Sequence, residues 1–402
     1  MEVTRDAEKP VVQALFWLAG LAKTRLTGTP EERAVQQAIA ERLERAGYTV
    51  AWQPFRFAPH IYGGMAMHFG LALAFLWVGH YSFALSALGL AVVWVSFFVE
   101  ATRRKHVLRK LWPTVATQNL LATLPSKGPL RRRIVLLAHA DSAYTGFMFN
   151  PAVLKALAAP PPKALWFLRK QLALPMATLA TLVVLQALAS LGVYFAPTWL
   201  TSLLAIPVAI AFFANFDVLV RNTVVPGAAD NLSGCAAQVI LAEQWAKERP
   251  DGVEVVFAFT GAEEAGTGGA AHLASLAPNM WDRANTDVFV LDTLSNGDLY
   301  ALEEGELYRV PQPPELLACA QAASREVAQK ELSPYIIPAG ATDALVFLIN
   351  GYRAIALTCI DPVQHAPRNY HHPNDTAERV DPAQLDESTR IAWAMLTRRA
   401  AE

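Results

Sequence analysis

Two adjacent glutamates, Glu263 and Glu264, follow an apolar run that stops at Thr260-Gly261 in the stretch VEVVFAFTGAEEAG (253–266). The run's β-branched and aromatic residues, Val253, Val255, Val256, Phe257 and Phe259, predict a buried strand ending in a tight turn. Such a turn presents the pair at the carboxyl edge of a sheet, where open α/β folds bind ligands. Two like charges side by side repel unless a cation lies between them or one carries a proton. A divalent metal ion meets that requirement. Taken alone, the pair reads better as a solvated helix start favoured by the helix dipole.

Five other residues share the context of the pair. His139 and Asp141 follow the run IVLL (134–137), Asp230 sits in the turn PGAADNLSG (226–234), Asp292 ends an apolar run at 288–291, and His371 lies in the loop YHHPNDT (370–376). Residues placed just past strands or in turns can converge on one edge of a single sheet. Carboxylates and imidazoles without a thiolate suit zinc, cobalt or manganese in an open, water-holding site. No single piece is specific; their joint occurrence is.

The elements that must position these residues alternate between strand and helix. Thr29-Pro30-Glu31-Glu32 predicts a helix start with Thr29 as N-cap and Glu32 completing a capping box. Val35, Ala38, Ile39, Leu43 and Ala46 follow at helical spacing, and Gly47 closes the segment. Strands are expected at 48–55, 117–124, 134–137, 288–291 and 352–357. An apolar helix after Gly234 has Ala236, Val239, Ile240 and Trp245 among its buried-face candidates. A last helix runs to Arg399, with Asp381 as N-cap and Pro382 at its first position. The pattern implies an α/β fold with a largely parallel central sheet.

Composition adds a second theme. The 402 residues are 53% hydrophobic and only 17% charged, against about 25% charged in a soluble domain, and mean hydropathy is +0.25. Part of the chain is therefore expected to face lipid. Residues 57–99 contain no Asp, Glu, Lys or Arg and divide near Gly79-His80-Tyr81 into halves of about 20 residues, enough to span a bilayer. Residues 172–216 are likewise uncharged and divide near Ala196-Pro197. Neither run alternates with polar residues as a half-buried helix should. Each is read as a transmembrane helical hairpin inserted into a catalytic domain built from 1–56, 100–171 and 217–402. His68 and His80 are expected to be packed or interfacial, and Pro175 and Pro207 to kink their helices.

Basic residues set the expected orientation. Arg103, Arg104, Lys105, Arg109 and Lys110 follow the first hairpin; Lys163, Arg169 and Lys170 precede the second and Arg221 follows it. The tips carry none, which places the polar remainder on the cytoplasmic side of the cell membrane. The start, MEVTRDAEKP, lacks the apolar core of a cleaved signal peptide. Cys235, Cys319 and Cys359 lie far apart, suggesting a reducing compartment. A net charge of −1 offers no basic footprint for nucleic acid.

With these residues in view, the chain resembles the co-catalytic dizinc aminopeptidases of the aminopeptidase Y and bacterial leucyl aminopeptidase type. The matching stretches are AHADS (138–142), PGAADNLSG (226–234), FTGAEEAG (259–266), VLDTLSNG (290–297), GATDALVF (340–347) and YHHPNDT (370–376). The resemblance implies a mixed sheet with helices on both faces, a zinc exopeptidase-like fold, and two Zn2+ ions, with Co2+ or Mn2+ as alternatives. It implies that Asp230 bridges the ions, its bond to Asn231 being cis. His139 and Asp292 would complete one metal, and Glu264 and His371 the other. Glu263 would be the general base acting on the metal-bridging water, and Asp141 would hydrogen-bond His139 and fix its tautomer. His371 is preferred to His372 because His371 and Asp375 match the family spacing His-x-x-x-Asp-Thr; Asp343 has a supporting role.

The resemblance further implies a peptide substrate cleaved at its N-terminus. Relatives also include carboxypeptidases and single-zinc glutaminyl cyclases, and a catalytically inactive receptor or scaffold is the rival from another class. All five ligands and the base are present, which favours an enzyme. The sequence departs from the family in having Ala229 where soluble members carry an acid, and in both hairpins. Besides meeting the lipid bilayer, the hairpins would serve as anchors, shape the substrate entrance, or meet a membrane-protein partner or a second copy in a homo-oligomer.

Overall fold

Helix α1 (Pro10–Leu21), which the sequence reading does not anticipate, buries Val11, Val12, Ala14, Leu15 and Leu18. The structure, a computed structural model, describes residues 9–193 and 198–402, and of 166–168 the backbone alone. Residues 1–8 and the expected division at Ala196-Pro197 lie outside the described residues. Helix α2 (Pro30–Arg45) starts as the capping pattern predicts, with the Thr29 hydroxyl accepting from the Glu32 N–H. Val35, Ile39 and Leu43 are buried, while Ala38 and Ala46 are only partly so. Glu32 does not close a capping box on Thr29. Its carboxylate accepts from the Gly28 N–H at 2.7 Å and from the Thr117 hydroxyl, which ties the helix start to the sheet.

Strand β1 (Thr49–Phe57) leads into two long helices, α3 (Ile61–Val78) and α4 (Phe83–Arg103). Strands β2 (Val115–Leu124) and β3 (Arg132–His139) follow, then α5 (Pro151–Ala158) and a second pair of long helices, α6 (Ala173–Ser190) and α7 (Thr198–Arg221). The remainder alternates: α8 (Ser233–Glu248), β4 (Val253–Thr260), α9 (Gly268–Leu276), β5 (Thr286–Leu291) and β6 (Asp298–Glu303). Helix α10 (Pro314–Ala328), β7 (Pro334–Ile336), α11 (Asp343–Ile349), β8 (Arg353–Ile360) and α12 (Pro382–Ala401) complete it. Asp381 caps α12 by accepting from the Ala383 and Gln384 N–H groups.

Among the described residues these eight strands form one sheet in the order β1-β2-β4-β3-β5-β8-β6-β7, and Tyr144–Thr145 pairs separately with Thr223–Val224. The central four run parallel, β1 with β2, β2 with β4 and β8 with β6 are antiparallel, and β6 with β7 is parallel. The fold is thus mixed α/β with a largely parallel sheet. Near-continuous apolar runs suit the central strands because helices cover both faces. Side chains of α1, α2, α8, α10 and α12 pack on one face, and those of α9 and α11 on the other. Strand β6 and the short β7 were not anticipated; both lie on the far side of β8, and only Ala301 to Glu303 of β6 are fully buried, so they lack the apolar runs of the centre.

The four long helices pack on one another, α3 on α4 and α7, and α6 on α4 and α7. Phe69, Leu90, Val93, Phe97, Leu179, Leu182 and Val208 form their shared interior. All four are long and apolar enough to cross a membrane, and their outer faces carry Trp77, Leu88, Val184, Ile210 and Phe213, each more than half exposed. Helices α4 and α7 continue past the uncharged stretches to take in Glu100, Arg103, Asp217 and Arg221. His68 is packed, its ring nitrogens 2.7 Å from the Gly64 carbonyl oxygen and 2.8 Å from the Ser96 hydroxyl. His80 is exposed between the helices. Pro175 lies in the first turn of α6, and Pro207 inside α7.

Opposite the carboxyl ends of the parallel strands, one carboxylate ties three elements together. Asp287, fully buried near the start of β5, accepts from Arg132 of β3, Arg353 of β8 and Arg399 of α12. Burial alone would push its carboxyl up, but the bonds from Arg399 and Arg353 outweigh it and hold the group below the ordinary aspartate range. Such a group stabilises the fold above the unfolded-state value, about 3.9, and the contribution is lost as pH falls through the lower folded value. Asp287→Ala should cost about 3 kcal/mol by removing the buried carboxylate that Arg132, Arg353 and Arg399 share. Thermal unfolding in detergent at pH 7 checks the loss, and the gap from wild type should narrow as the pH falls below about 4.

Candidate metal centre

Because β3, β4 and β5 run parallel, the residues that follow them meet at one edge. His139 is the last residue of β3, Glu263 and Glu264 follow β4, and Asp292 follows β5. Asp230 joins them from the turn before α8, and His371 from the loop between β8 and α12. His139 Nε2 lies 3.1 Å from Asp230 Oδ1. His371 Nε2 lies 3.6 Å from Asp230 Oδ2 and 3.1 Å from Glu264 Oε2. The two oxygens of Asp230 therefore face one imidazole each.

Donor atoms of His139, Asp230 and Asp292 all lie within 4.8 Å of one another, and so do those of Asp230, Glu264 and His371. Asp230 is common to both groups. A third such group, His139, Glu263 and Glu264, overlaps them. Two ligands about 2.1 Å from one ion at the tetrahedral angle stand about 3.4 Å apart, a spacing that the contacts at Asp230 bracket. Glu264 Oε1 is buried without a hydrogen-bond partner. Nitrogen and carboxylate donors at this spacing, with one oxygen unclaimed by the protein, fit a borderline metal such as zinc.

The electrostatics point the same way. Burial pushes Glu264 well above the usual carboxylate range, and Asp230 beside it adds to the effect. Burial does the same to Glu263, with Asp343 and Glu264 adding to it, and lifts Asp292 to about 7. Burial lowers His371 to about 4 despite the nearby Asp230. For His139 burial is outweighed by hydrogen bonds to Asp141 and Asp230, which raise it well above its ordinary value. A divalent cation among such groups becomes the largest local charge and reverses these preferences.

The supporting groups are buried and specific. Asp141, expected to hydrogen-bond His139, meets its Nδ1 with the main-chain oxygen at 3.2 Å and with the carboxylate at 3.5 Å. The carboxylate also holds the glutamate loop, accepting from the Glu263 and Glu264 N–H groups, each at 3.1 Å, and from the Thr27 hydroxyl. Asp343 accepts from the Thr260 hydroxyl at 2.6 Å at the end of β4. His371 Nδ1 lies 2.9 Å from the Tyr62 hydroxyl. His372 is outside the cluster, its Nδ1 accepting from the Asn374 N–H.

Two groups essential to this arrangement escape the sequence reading. Arg25, fully buried, donates to the carbonyls of Ala140, Pro226 and Gly227 and so clamps the loops bearing His139 and Asp230. Nothing in its sequence context signals this. Asp375 accepts from the Ala229 and Asp230 N–H groups; the His-x-x-x-Asp-Thr spacing marks the residue but not that task. Gly227, at φ +62°, is required because a Cβ there would lie 2.4 Å from the Asp230 carbonyl oxygen. The Asp230–Asn231 peptide is cis. Asn231 is buried and bonded to Leu291, Gly234 and Thr293, which closes the Asn231-Leu232-Ser233 glycosylation sequon to modification.

Residues 207–396 match the sequence model of Peptidase family M28. No curated protein sequence matches the chain. In fold it is similar to an aminopeptidase from Aneurinibacillus sp., with a TM-score of 0.56 at 15% identity over 97% of this chain and 93% of that one. A zinc aminopeptidase from Bacillus subtilis gives 0.57 at 14% identity over 97% and 94%. A glutaminyl cyclase from Bacteroides thetaiotaomicron gives 0.55 at 14% identity over 96% of each chain.

Replacing Asp230 removes the carboxylate common to both donor groups. Asp230→Ala should therefore lose most bound zinc, read by elemental analysis of the purified chain. Wild-type occupancy in that variant would count against the shared role.

Proposed function

We propose, on the premise that residues 207–396 match peptidase family M28, that this chain is a membrane-bound zinc exopeptidase, and specifically an aminopeptidase with two zinc ions. The observation that carries the reading is the pair of donor groups sharing Asp230. In this reading His139, Asp230 and Asp292 hold one ion and Asp230, Glu264 and His371 the other. Bound there, the ions would supply Lewis acidity and an acidified water.

The chain's own residues supply the rest. Glu263 borders the same pocket as Asp230, Glu264, Asp292 and His371, and its Oε2 stands 3.9 Å from His139 Nε2. Among the described residues no side-chain hydrogen bond holds that carboxylate, so it is placed to accept a proton from water and return it to a leaving amine. Asp141 fixes its approach by binding the loop backbone. The pocket, about 140 Å³, is walled largely by apolar side chains, among them Met148, Phe149, Leu154 and Ile337, with Gln171, Thr342 and Thr358 among its polar ones. Such a wall excludes water and receives the side chain of a peptide's terminal residue. A scaffold or receptor has no need of this convergence of ligands and free base.

The membrane reading rests on α3, α4, α6 and α7. Large apolar side chains on their outer faces suit lipid better than water. Residues 57–99 and 172–216 would be hairpins inserted in a catalytic domain of 1–56, 100–171 and 217–402. In this reading the flanking basic residues favour the cytoplasmic side for that domain. Arg104, Arg109, Arg169 and Lys170 are engaged in internal contacts, so for them the rule acts during insertion rather than in the folded chain.

The full chain in detergent, reconstituted with zinc, should release 4-nitroaniline from aminoacyl-4-nitroanilides and spare N-blocked ones. Cyclisation of N-terminal glutamine with release of ammonia, without peptide cleavage, would instead select the cyclase alternative. Glu263→Gln should retain zinc and lose turnover by roughly 10²–10⁴-fold; near wild-type turnover would remove the base assignment. Alkaline carbonate extraction of membranes should leave the chain in the pellet, and its release would overturn the membrane reading.

A further inference from the structure

The first apolar hairpin reaches the metal centre. Tyr62, in the first turn of α3, is 9% exposed and puts its hydroxyl 2.9 Å from His371 Nδ1. The other ring nitrogen of His371 is the one that faces Glu264 and Asp230. An imidazole that ligates through Nε2 carries its proton on Nδ1, and the Tyr62 oxygen is placed to accept that proton in a hydrogen bond. Phe149 and Tyr370 pack on the same ring, with centroids 4.6 and 3.9 Å away. The backbone of His371 is in the left-handed region, φ +49°, which side-chain-bearing residues adopt infrequently.

A second contact joins the hairpin to the glutamate loop. The buried guanidinium of Arg109 donates to the Ala58 carbonyl just before α3 and to the Glu100 carboxylate near the end of α4. It also donates to the carbonyl of Ala265, the residue after Glu264. One side chain thus binds both ends of the hairpin and the loop that presents Glu264. A membrane anchor needs neither contact.

We infer that Tyr62 is a positioning residue for the ion held by Asp230, Glu264 and His371, so that the membrane hairpin is part of the metal site's support. The inference rests on the zinc reading above. It assigns Tyr62 no contact with substrate; it acts through the imidazole, fixing its tautomer and ring orientation. Loss of such a partner typically lowers metal affinity 10–100-fold.

The test uses the full chain in detergent with zinc alone, titrated against a competing chelator, and Tyr62→Phe, which removes only the hydroxyl. One of the two zinc affinities should fall roughly 10–100-fold while the other stays at its wild-type value. Phe97→Leu loosens the Phe69–Phe97 contact in the same helix pair without touching His371, and should leave both affinities unchanged. The inference is overturned if Tyr62→Phe holds both ions as tightly as wild type, or if Phe97→Leu produces the same selective loss. A wild-type chain that takes up no zinc removes the metallopeptidase reading itself, and this inference with it.

Discussion

Like charges brought together out of water must be compensated. At the carboxyl edge of the parallel strands, Asp230, Glu263, Glu264 and Asp292 crowd around two imidazoles, and burial raises the cost of ionising most of them. A protein can tolerate such a cluster by leaving its carboxyls protonated or by placing a cation among them. Asp230 turns one oxygen toward each histidine, and Glu264 leaves an oxygen unclaimed. This geometry suits a cation better than shared protons.

Holding that cluster together requires groups that never meet the ligand. Arg25 and Asp375 immobilise the Asp230 turn from opposite sides, one through carbonyls and the other through N–H groups. Asp141 does the same for the glutamate loop. At the other end of the strands Asp287 gathers three arginines. Each contact binds backbone or fixes strand ends, which is how a loop site reaches the precision that ligand geometry demands.

The four long helices are tied to the candidate metal residues as well as to one another. Their outer faces are apolar and exposed, yet the first pair returns polar contacts to the site through Tyr62 and, with the segment that follows it, Arg109. The stretch 148–154, which lies between the two pairs, walls the pocket with Met148, Phe149 and Leu154. Sequence insertion and structural integration are therefore different properties. The hairpins interrupt the chain, but the site is built around what they bring.

Local signals made much of this legible. Strand cores such as 134–137 and 288–291, the Thr29 and Asp381 caps and the long uncharged runs all rest on short-range rules: side-chain period, capping hydrogen bonds and hydropathy. The candidate metal residues were legible too, because each sits at a strand end or turn where chemistry-bearing side chains stand out. What remained hidden depends on distant pairings. Arg25 bonds residues more than a hundred positions away, Tyr62 meets His371 from 309 positions away, and Asp141 binds the backbone of the glutamate loop as well as the neighbouring imidazole. Residue type and spacing determined which groups could hold a metal; tertiary packing decided which hold those groups still, because a hydrogen bond between remote residues leaves no periodicity in the chain.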